Sequence, residues 1–416
     1  METNTTELTR LRIDGERLWQ SIMDLAKVGA TPRGGVKRLA LTDLDRDGRD
    51  LVVSWLKAAG LTVRIDQLGN IFGRRAGTDT ARGAVASGSH IDTQPSGGRF
   101  DGNYGVLATL EVIRTLNDHN IQTAAPIEVA IWTNEEGTRF TPVMMGSGAY
   151  AGVFTLDEVL AAQDLDGVTV GEELDRIGYA GDTALGAHPF DAYFEAHIEQ
   201  GPILEDCGMP IGVVTGALGQ RWFDVIVTGM DAHAGPTPMN LRRDAGLAMA
   251  KIIQGINEIA LAEAPDGRGT VGFVQVGPNS RNVIPGNATF SVDLRHPNKA
   301  GLERMEQAFR ERCAATATDT RTDIRIEHVT EFPPCEFDRD CVSLVREAAA
   351  DQGHAHRDIV SGAGHDAVYV ARVAPTAMIF VPCKDGISHN EIEDASPADI
   401  EAGANVLLAA MLARAA

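Results

Sequence analysis

The chain lacks the features that would place it in several large classes. Cysteine is scarce, with Cys207, Cys313, Cys335, Cys341 and Cys383 among 416 residues. They are odd in number and widely spaced, and no Cys-x-x-Cys occurs, so reduced thiols are expected rather than a disulfide framework. Basic residues are outnumbered by acidic ones, 37 to 58, for a formal charge of −21. A nucleic-acid or anionic-membrane surface needs a basic patch, and this balance argues against both. A local arginine can still bind an anionic small molecule. No apolar run approaches the ~20 residues of a membrane span. The stretch from Met1 to Arg12 is polar and has no signal-peptide core, so a soluble, cytoplasmic protein is expected. No Gly-x-Ser-x-Gly elbow is present. No Walker A sequence is present, and no Gly-x-Gly-x-x-Gly follows a first strand, so nucleotide cofactors are not implied. Repeats, low-complexity tracts and long charge runs are absent too.

The hydrophobic fraction of 44% is enough to build sizeable cores, and the length suggests two domains or one large one. Apolar spacing predicts helices over 14–28, 41–60, 105–118 and 397–414. Strands are predicted over Ala84 to Ser87, Ile127 to Thr133, Ala192 to Ile198 and Thr376 to Val381. Strands alternating with helices predict an α/β domain with a mostly parallel sheet flanked by helices. The middle of the chain reads differently. Trp222 to Thr228 alternates as a strand, and a long helix is predicted over 238–263. Strands follow over Thr270 to Val276 and Ala288 to Leu294, then a helix over 299–315 and a strand over Ile324 to Val329. This βαββαβ order is that of a ferredoxin-like α+β domain. Residues 217–331 are therefore read as inserted into a catalytic domain formed by 1–216 and 332–416, with Pro333-Pro334 marking the return.

The residues that carry chemistry cluster at predicted strand ends. Gly88-Ser89-His90-Ile91-Asp92 follows one strand, and Gly97-Gly98-Arg99-Phe100-Asp101-Gly102 opens the next helix. Asn134-Glu135-Glu136-Gly137 and Glu195-Ala196-His197-Ile198-Glu199-Gln200-Gly201 end two others. Gly386-Ile387-Ser388-His389-Asn390 lies in a loop beyond Thr376 to Val381. Ligands bind beyond the carboxyl ends of strands in open α/β sheets, so His90, Asp101, Glu136, His197 and His389 are expected to converge. Imidazole with carboxylate suits zinc, and manganese, cobalt or nickel fit the same donors. Five ligands exceed one open tetrahedral site. They fit two divalent ions per subunit if Asp101 bridges. Such a pair lowers the pKa of a water toward neutrality, and Glu135, beside Glu136, can serve as general base. Each piece alone is weak, since lone histidines, Glu-Glu pairs and glycine-rich loops are usually structural. Their coincidence at successive strand ends is the signal.

Together these segments resemble the metal-dependent amidohydrolases of the M20 peptidase-like superfamily. The match is to the branch of N-carbamoyl-L-amino acid amidohydrolases, β-ureidopropionases and allantoate amidohydrolases, and it runs from about His90 to His389. The resemblance implies that His90, Asp101, Glu136, His197 and His389 bind the metals and that Glu135 is the base. Peptidases of the superfamily usually have Asp where His197 stands, which disfavours a peptidase. Asp231-Ala232-His233-Ala234-Gly235 resembles a segment whose His polarises the substrate carbonyl. The resemblance also implies that Asn282 holds the ureido oxygen and that Arg295 pairs with a substrate carboxylate, a task suited to a planar guanidinium. Gly364 and His365, in Gly362-Ala363-Gly364-His365-Asp366, and Gln200 are assigned to the substrate pocket. The inserted domain is expected to act as a lid and to mediate homodimerisation. The implied reaction is hydrolysis of N-carbamoyl-L-amino acids or N-carbamoyl-β-alanine to the amino acid, ammonia and carbon dioxide. The alternatives are an allantoate amidohydrolase, an M20-type peptidase, and a non-catalytic binding protein on the same fold.

Overall fold

The computed structural model describes residues 10–186 and 188–416, so most of the polar stretch from Met1 to Arg12 lies outside the described residues. The chain forms two compact units. One comprises the residues up to Thr215 together with Phe337–Ala416, and the other is Gly216–Glu336.

The first unit is built on a nine-stranded sheet. Four neighbouring strands run parallel: Ile127–Trp132, Ala84–His90, Phe190–Ile198 and Thr376–Val381. Three of them are buried at every residue and Phe190–Ile198 at all but one, as expected of strands covered on both faces. The helices Asn103–Asp118 and Pro397–Ala415 pack against this core and are themselves mostly buried. Ser396 caps the second of these, with Pro397 in its first turn, where a missing N–H costs nothing.

The sheet is mixed, not mostly parallel as the sequence predicts. Thr62–Ile65 and Ile71–Arg75 form an antiparallel hairpin at one edge, and Ile71–Arg75 is antiparallel to Ile127–Trp132. On the other side Ile211–Ala217 is antiparallel to Thr376–Val381. For the hairpin the reason is connection length. Parallel neighbours need a crossover of a dozen or more residues, whereas residues 66–70 can only turn the chain back. The parallel core is what matters for a site, because it delivers four strand ends to one edge of the sheet.

In the second unit Gly219–Thr228 lies between Asn287–His296 and Asp323–Phe332, with antiparallel pairing on both sides. Val274–Gly277 and Arg268–Thr270 each pair with Asn287–His296. The helices Ala245–Ala262 and Lys299–Thr320 share one core with the sheet, formed by Phe223, Val225, Phe290, Ile252, Met305 and Phe309. Two elements differ from expectation. The first helix starts at Ala245, not 238, because Asp244 caps it and Met239–Leu241 forms only a 3-10 turn after Pro238. The strand expected over 270–276 is divided into Arg268–Thr270 and Val274–Gly277, with Gly272 between them.

Phe290 is fully buried in this second core. Phe290→Ala is expected to cost ~3–5 kcal/mol, read as a lower urea midpoint with unchanged metal content.

Candidate metal centre

The site is assembled at the carboxyl ends of the parallel strands. His90 closes its strand, and its Nδ1 lies 2.9 Å from the Asp92 carbonyl oxygen. The His197 Nδ1 lies 2.9 Å from the Ile198 carbonyl oxygen. A carbonyl only accepts, so both Nδ1 atoms donate, and each ring in its neutral form carries its lone pair on Nε2; in this structure that of His197 accepts the Gly102 N–H at 3.2 Å. Both Nε2 atoms face Asp101 Oδ1, at 3.6 Å from His90 and 3.2 Å from His197. Gly102, at φ 66°, turns the chain here, and a Cβ on it would stand 2.5 Å from the His90 ring. Glycine is required beside Asp101 for both reasons.

The other oxygen of Asp101 looks elsewhere. Oδ2 lies 3.4 Å from His389 Nε2, which is also 3.4 Å from Glu136 Oε2. The two sets, His90–Asp101–His197 and Asp101–Glu136–His389, thus share one carboxylate, and the ligand atoms of each lie within 4.8 Å of one another. Two ligands ~2.0–2.2 Å from one tetrahedral zinc stand roughly 3.4 Å apart. The spacings from His90 and His197 to Asp101, and from His389 to Asp101 and Glu136, lie at 3.2–3.6 Å, near that value, so these donors suit a divalent ion in position and in type.

The loops are set by a few bonds. Asn134 has φ 54°, and its side-chain amide donates to the Phe140 carbonyl at 2.8 Å. The turn presents two consecutive N–H groups, of Glu135 and Glu136, to the buried Asp92 carboxylate at 3.2 Å each. Glu136 Oε2 accepts the Gln94 side-chain amide at 2.6 Å. Glu135 Oε2 lies 3.5 Å from His90 Nε2. Gln200 and His389 also adopt left-handed backbone, at φ 57° and 54°. Strained conformations held by their surroundings cluster at functional sites.

Electrostatics favour a cation. No lysine or arginine pairs with Asp101, Glu135 or Glu136 among the described residues. Burial pushes the Glu135 carboxyl well above the usual range, with Asp366, Glu136 and Asp92 adding to it against the opposing His90. Burial and then Asp101 push Glu136 up to about 8, and burial and Asp101 raise Glu393 to about 7. Asp101 stays well below its ordinary value despite burial, because His197 and His90 face it. Conversely, Glu135 and Asp101 hold His90 well above the usual imidazole value against the effect of burial. A positive charge between these carboxylates reverses the upward shifts.

The remaining candidates fall in several places. Gln200 Nε2 donates to Asp101 Oδ2 at 2.8 Å, so in this structure it braces a candidate ligand. His365 is buried with its ring 4.5 Å from that of His197, and its Nε2 is 3.0 Å from Ser361 Oγ. Burial and then His197 hold its pKa well below the usual imidazole value. Gly364 is exposed beside Met144. In the second unit His233 and Asn282 are exposed neighbours, joined by the pairing of Val283 with His233 and by an Ala234 N–H to Asn282 carbonyl bond of 2.8 Å. His233 Nδ1 accepts the Gly235 N–H at 3.1 Å, which leaves Nε2–H as a donor. Arg295 pairs with Asp293 of its own strand, its Nη2 at 2.8 Å from Oδ2. Sequence reasoning gave no role to Gln94, Ser388 or Glu393. It quoted Asp92 and Glu195 only as parts of motifs. Carboxylates that grip backbone N–H groups have no spacing signature, and only their nearness to His90, His197 and His389 could have flagged them.

The architecture and this donor set are those of a metal-dependent hydrolase. The model of peptidase family M20/M25/M40 matches residues 86–413, and the chain belongs to that family. Among its relatives the chain is 48% identical to an N-carbamoyl-L-amino-acid amidohydrolase of Rhizobium meliloti, over 96% of each chain. It is 40% identical to an N-carbamoyl-L-amino acid amidohydrolase of Geobacillus stearothermophilus, over 95% of this chain and 97% of that one. The crystal structure of an amidase of the hydantoinase/carbamoylase family from Burkholderia multivorans superposes with a TM-score of 0.95 at 60% identity, covering 97% of this chain and 98% of that one. No helix among the described residues is long and apolar enough to cross a membrane.

Metal must displace protons here. The raised pKa of Glu136, about 8, and those of His90 and His197 mean that the protonated ligands compete with metal at low pH. Affinity should therefore rise with pH through the region near 8 where Glu136 gives up its proton. Calorimetry at pH 7 in buffers of different ionisation enthalpy should show net proton release, and zero release would contradict this assignment.

Proposed function

We propose that the chain hydrolyses the ureido C–N bond of N-carbamoyl-L-amino acids or N-carbamoyl-β-alanine. The reading is carried by a shared carboxylate with the Glu135 carboxyl close by, in a chain similar over nearly its whole length to enzymes named N-carbamoyl-L-amino-acid amidohydrolases. Two divalent ions, zinc or alternatively manganese, cobalt or nickel, would be held by His90, His197 and Asp101 on one side and by Asp101, Glu136 and His389 on the other, and would supply Lewis acidity and a water of lowered pKa. Glu135 takes a proton from the attacking water as oxygen bonds to the carbamoyl carbon. It then delivers that proton to the amino-acid nitrogen as the C–N bond breaks. The carbamic acid released splits into ammonia and carbon dioxide.

The substrate contacts are part of the same proposal. His233 Nε2–H and the Asn282 amide donate to the ureido oxygen, each such donor being worth a few kcal/mol in the transition state. Arg295 exchanges part of its Asp293 pairing for the substrate carboxylate, with the bidentate fit a guanidinium allows. Gln200, Gly364 and His365 complete the pocket. The second unit acts as a lid that excludes water and as the homodimer surface.

Ammonia release by the metal-loaded protein across a panel tests the reading. The panel is N-carbamoyl-L-amino acids with one D-enantiomer, N-carbamoyl-β-alanine, allantoate and a dipeptide scored by amine release. Turnover of carbamoyl amino acids with the other two inert is the expected result. Allantoate alone would keep the chemistry and change the substrate, and cleavage of the dipeptide alone would overturn the proposal. Glu135→Gln should lower kcat by roughly 10²–10⁴-fold with metal content unchanged. Arg295→Ala should act chiefly through KM, and an unchanged KM would remove it from the carboxylate site.

A further inference from the structure

Glu393 is a buried carboxylate that the proposed reaction does not use. It stands at the junction of the two loops that bring Asp101 and His389 together. Its Oε1 accepts two consecutive backbone N–H groups, from Phe100 at 3.0 Å and from Asp101 at 3.1 Å. Its Oε2 lies 3.1 Å from the hydroxyl oxygen of Ser388, the residue before His389. The chain makes room for it. A Cβ on Gly98 would stand 2.0 Å from Glu393 Oε1, so a glycine sits where this carboxylate crosses the loop.

The Ser388 hydroxyl has one hydrogen and two carboxylates in reach, Asp101 Oδ2 at 2.9 Å and Glu393 Oε2 at 3.1 Å. A hydrogen given to Asp101 Oδ2 takes electron density from the oxygen that faces His389. A hydrogen drawn to Glu393 leaves that oxygen freer to bind a cation. His389 needs such support more than the other candidate ligands do. Its side chain is 52% exposed, against 1–7% for His90, Asp101, Glu136 and His197, and its backbone is left-handed.

We propose that Glu393 is a positioning residue that ties the Asp101 backbone to the His389 loop and so sets the strength of one ion site, that of Asp101 Oδ2, Glu136 and His389, and not the other. This inference rests on the two-ion reading above. Groups that orient metal ligands typically matter by 10–100-fold in affinity.

The test is metal binding by wild-type, Glu393→Gln and Gly98→Ala proteins, each stripped of metal and titrated with zinc and with manganese. Stoichiometry, both dissociation constants and the melting temperature of the metal-free protein are read together. Glu393→Gln keeps the side chain's size and an oxygen for the two N–H groups, but its amide donates to Ser388 and turns the hydroxyl hydrogen onto Asp101. It is expected to bind the first ion as the wild type does and the second about 10- to 100-fold more weakly, with turnover restored by excess metal. Gly98→Ala, which crowds the same carboxylate from outside the site, should give the same selective loss. Two ions bound with wild-type affinities in Glu393→Gln would overturn the inference alone, as would equal weakening of both or a lowered melting temperature with unchanged constants. A wild type that binds a single ion would overturn the two-ion reading and this inference with it.

Discussion

The structure turns on one buried carboxylate that has to serve in two directions. Asp101 gives Oδ1 to two imidazoles and Oδ2 to a third imidazole and an amide. A buried carboxylate is costly unless opposite charge or hydrogen bonds satisfy it. Other acidic groups crowd the same pocket: Glu136 and Glu393 near Asp101, and Glu135 and Asp92 around His90. A lone Asp101 could be satisfied by histidine protons alone, but the raised carboxyls of Glu135 and Glu136 could not. A cation held beside Asp101 would relieve them, so the acidity of the pocket and its donor geometry point the same way.

The fold supplies what this arrangement demands. Parallel strands bring His90, the Glu135–Glu136 turn and His197 to one edge without long side-chain reaches. The loops beyond them are then fixed by carboxylates that each grip two successive N–H groups. Asp92 holds Glu135 and Glu136, and Glu393 holds Phe100 and Asp101. Loop backbone that would otherwise be satisfied by water is satisfied by charge, which preorganises the candidate ligands. The left-handed residues Asn134, Gln200 and His389 store strain that these bonds offset.

How much was legible follows from which signals are local. The apolar runs Ile127 to Thr133 and Thr376 to Val381 announced buried strands, and the strand-end motifs named the side chains that the structure gathers around Asp101. The antiparallel edges were not legible. Thr62–Ile65 and Ile71–Arg75 are short and half-polar, and only pairing in space defines them. The division of labour around the ligands was hidden for a similar reason. Gln200 was read as a substrate contact near the metals, and in this structure its amide also braces Asp101. Gln94, Ser388 and Glu393 act through backbone or through other side chains, and no sequence spacing encodes that.

The most direct test is anomalous diffraction from crystals loaded with manganese. Two peaks flanking Asp101 are predicted, one within bonding distance of Oδ1, His90 and His197, the other of Oδ2, Glu136 and His389. A single peak, or two that leave Asp101 bound through one oxygen only, would contradict the shared-carboxylate centre on which the proposed chemistry depends.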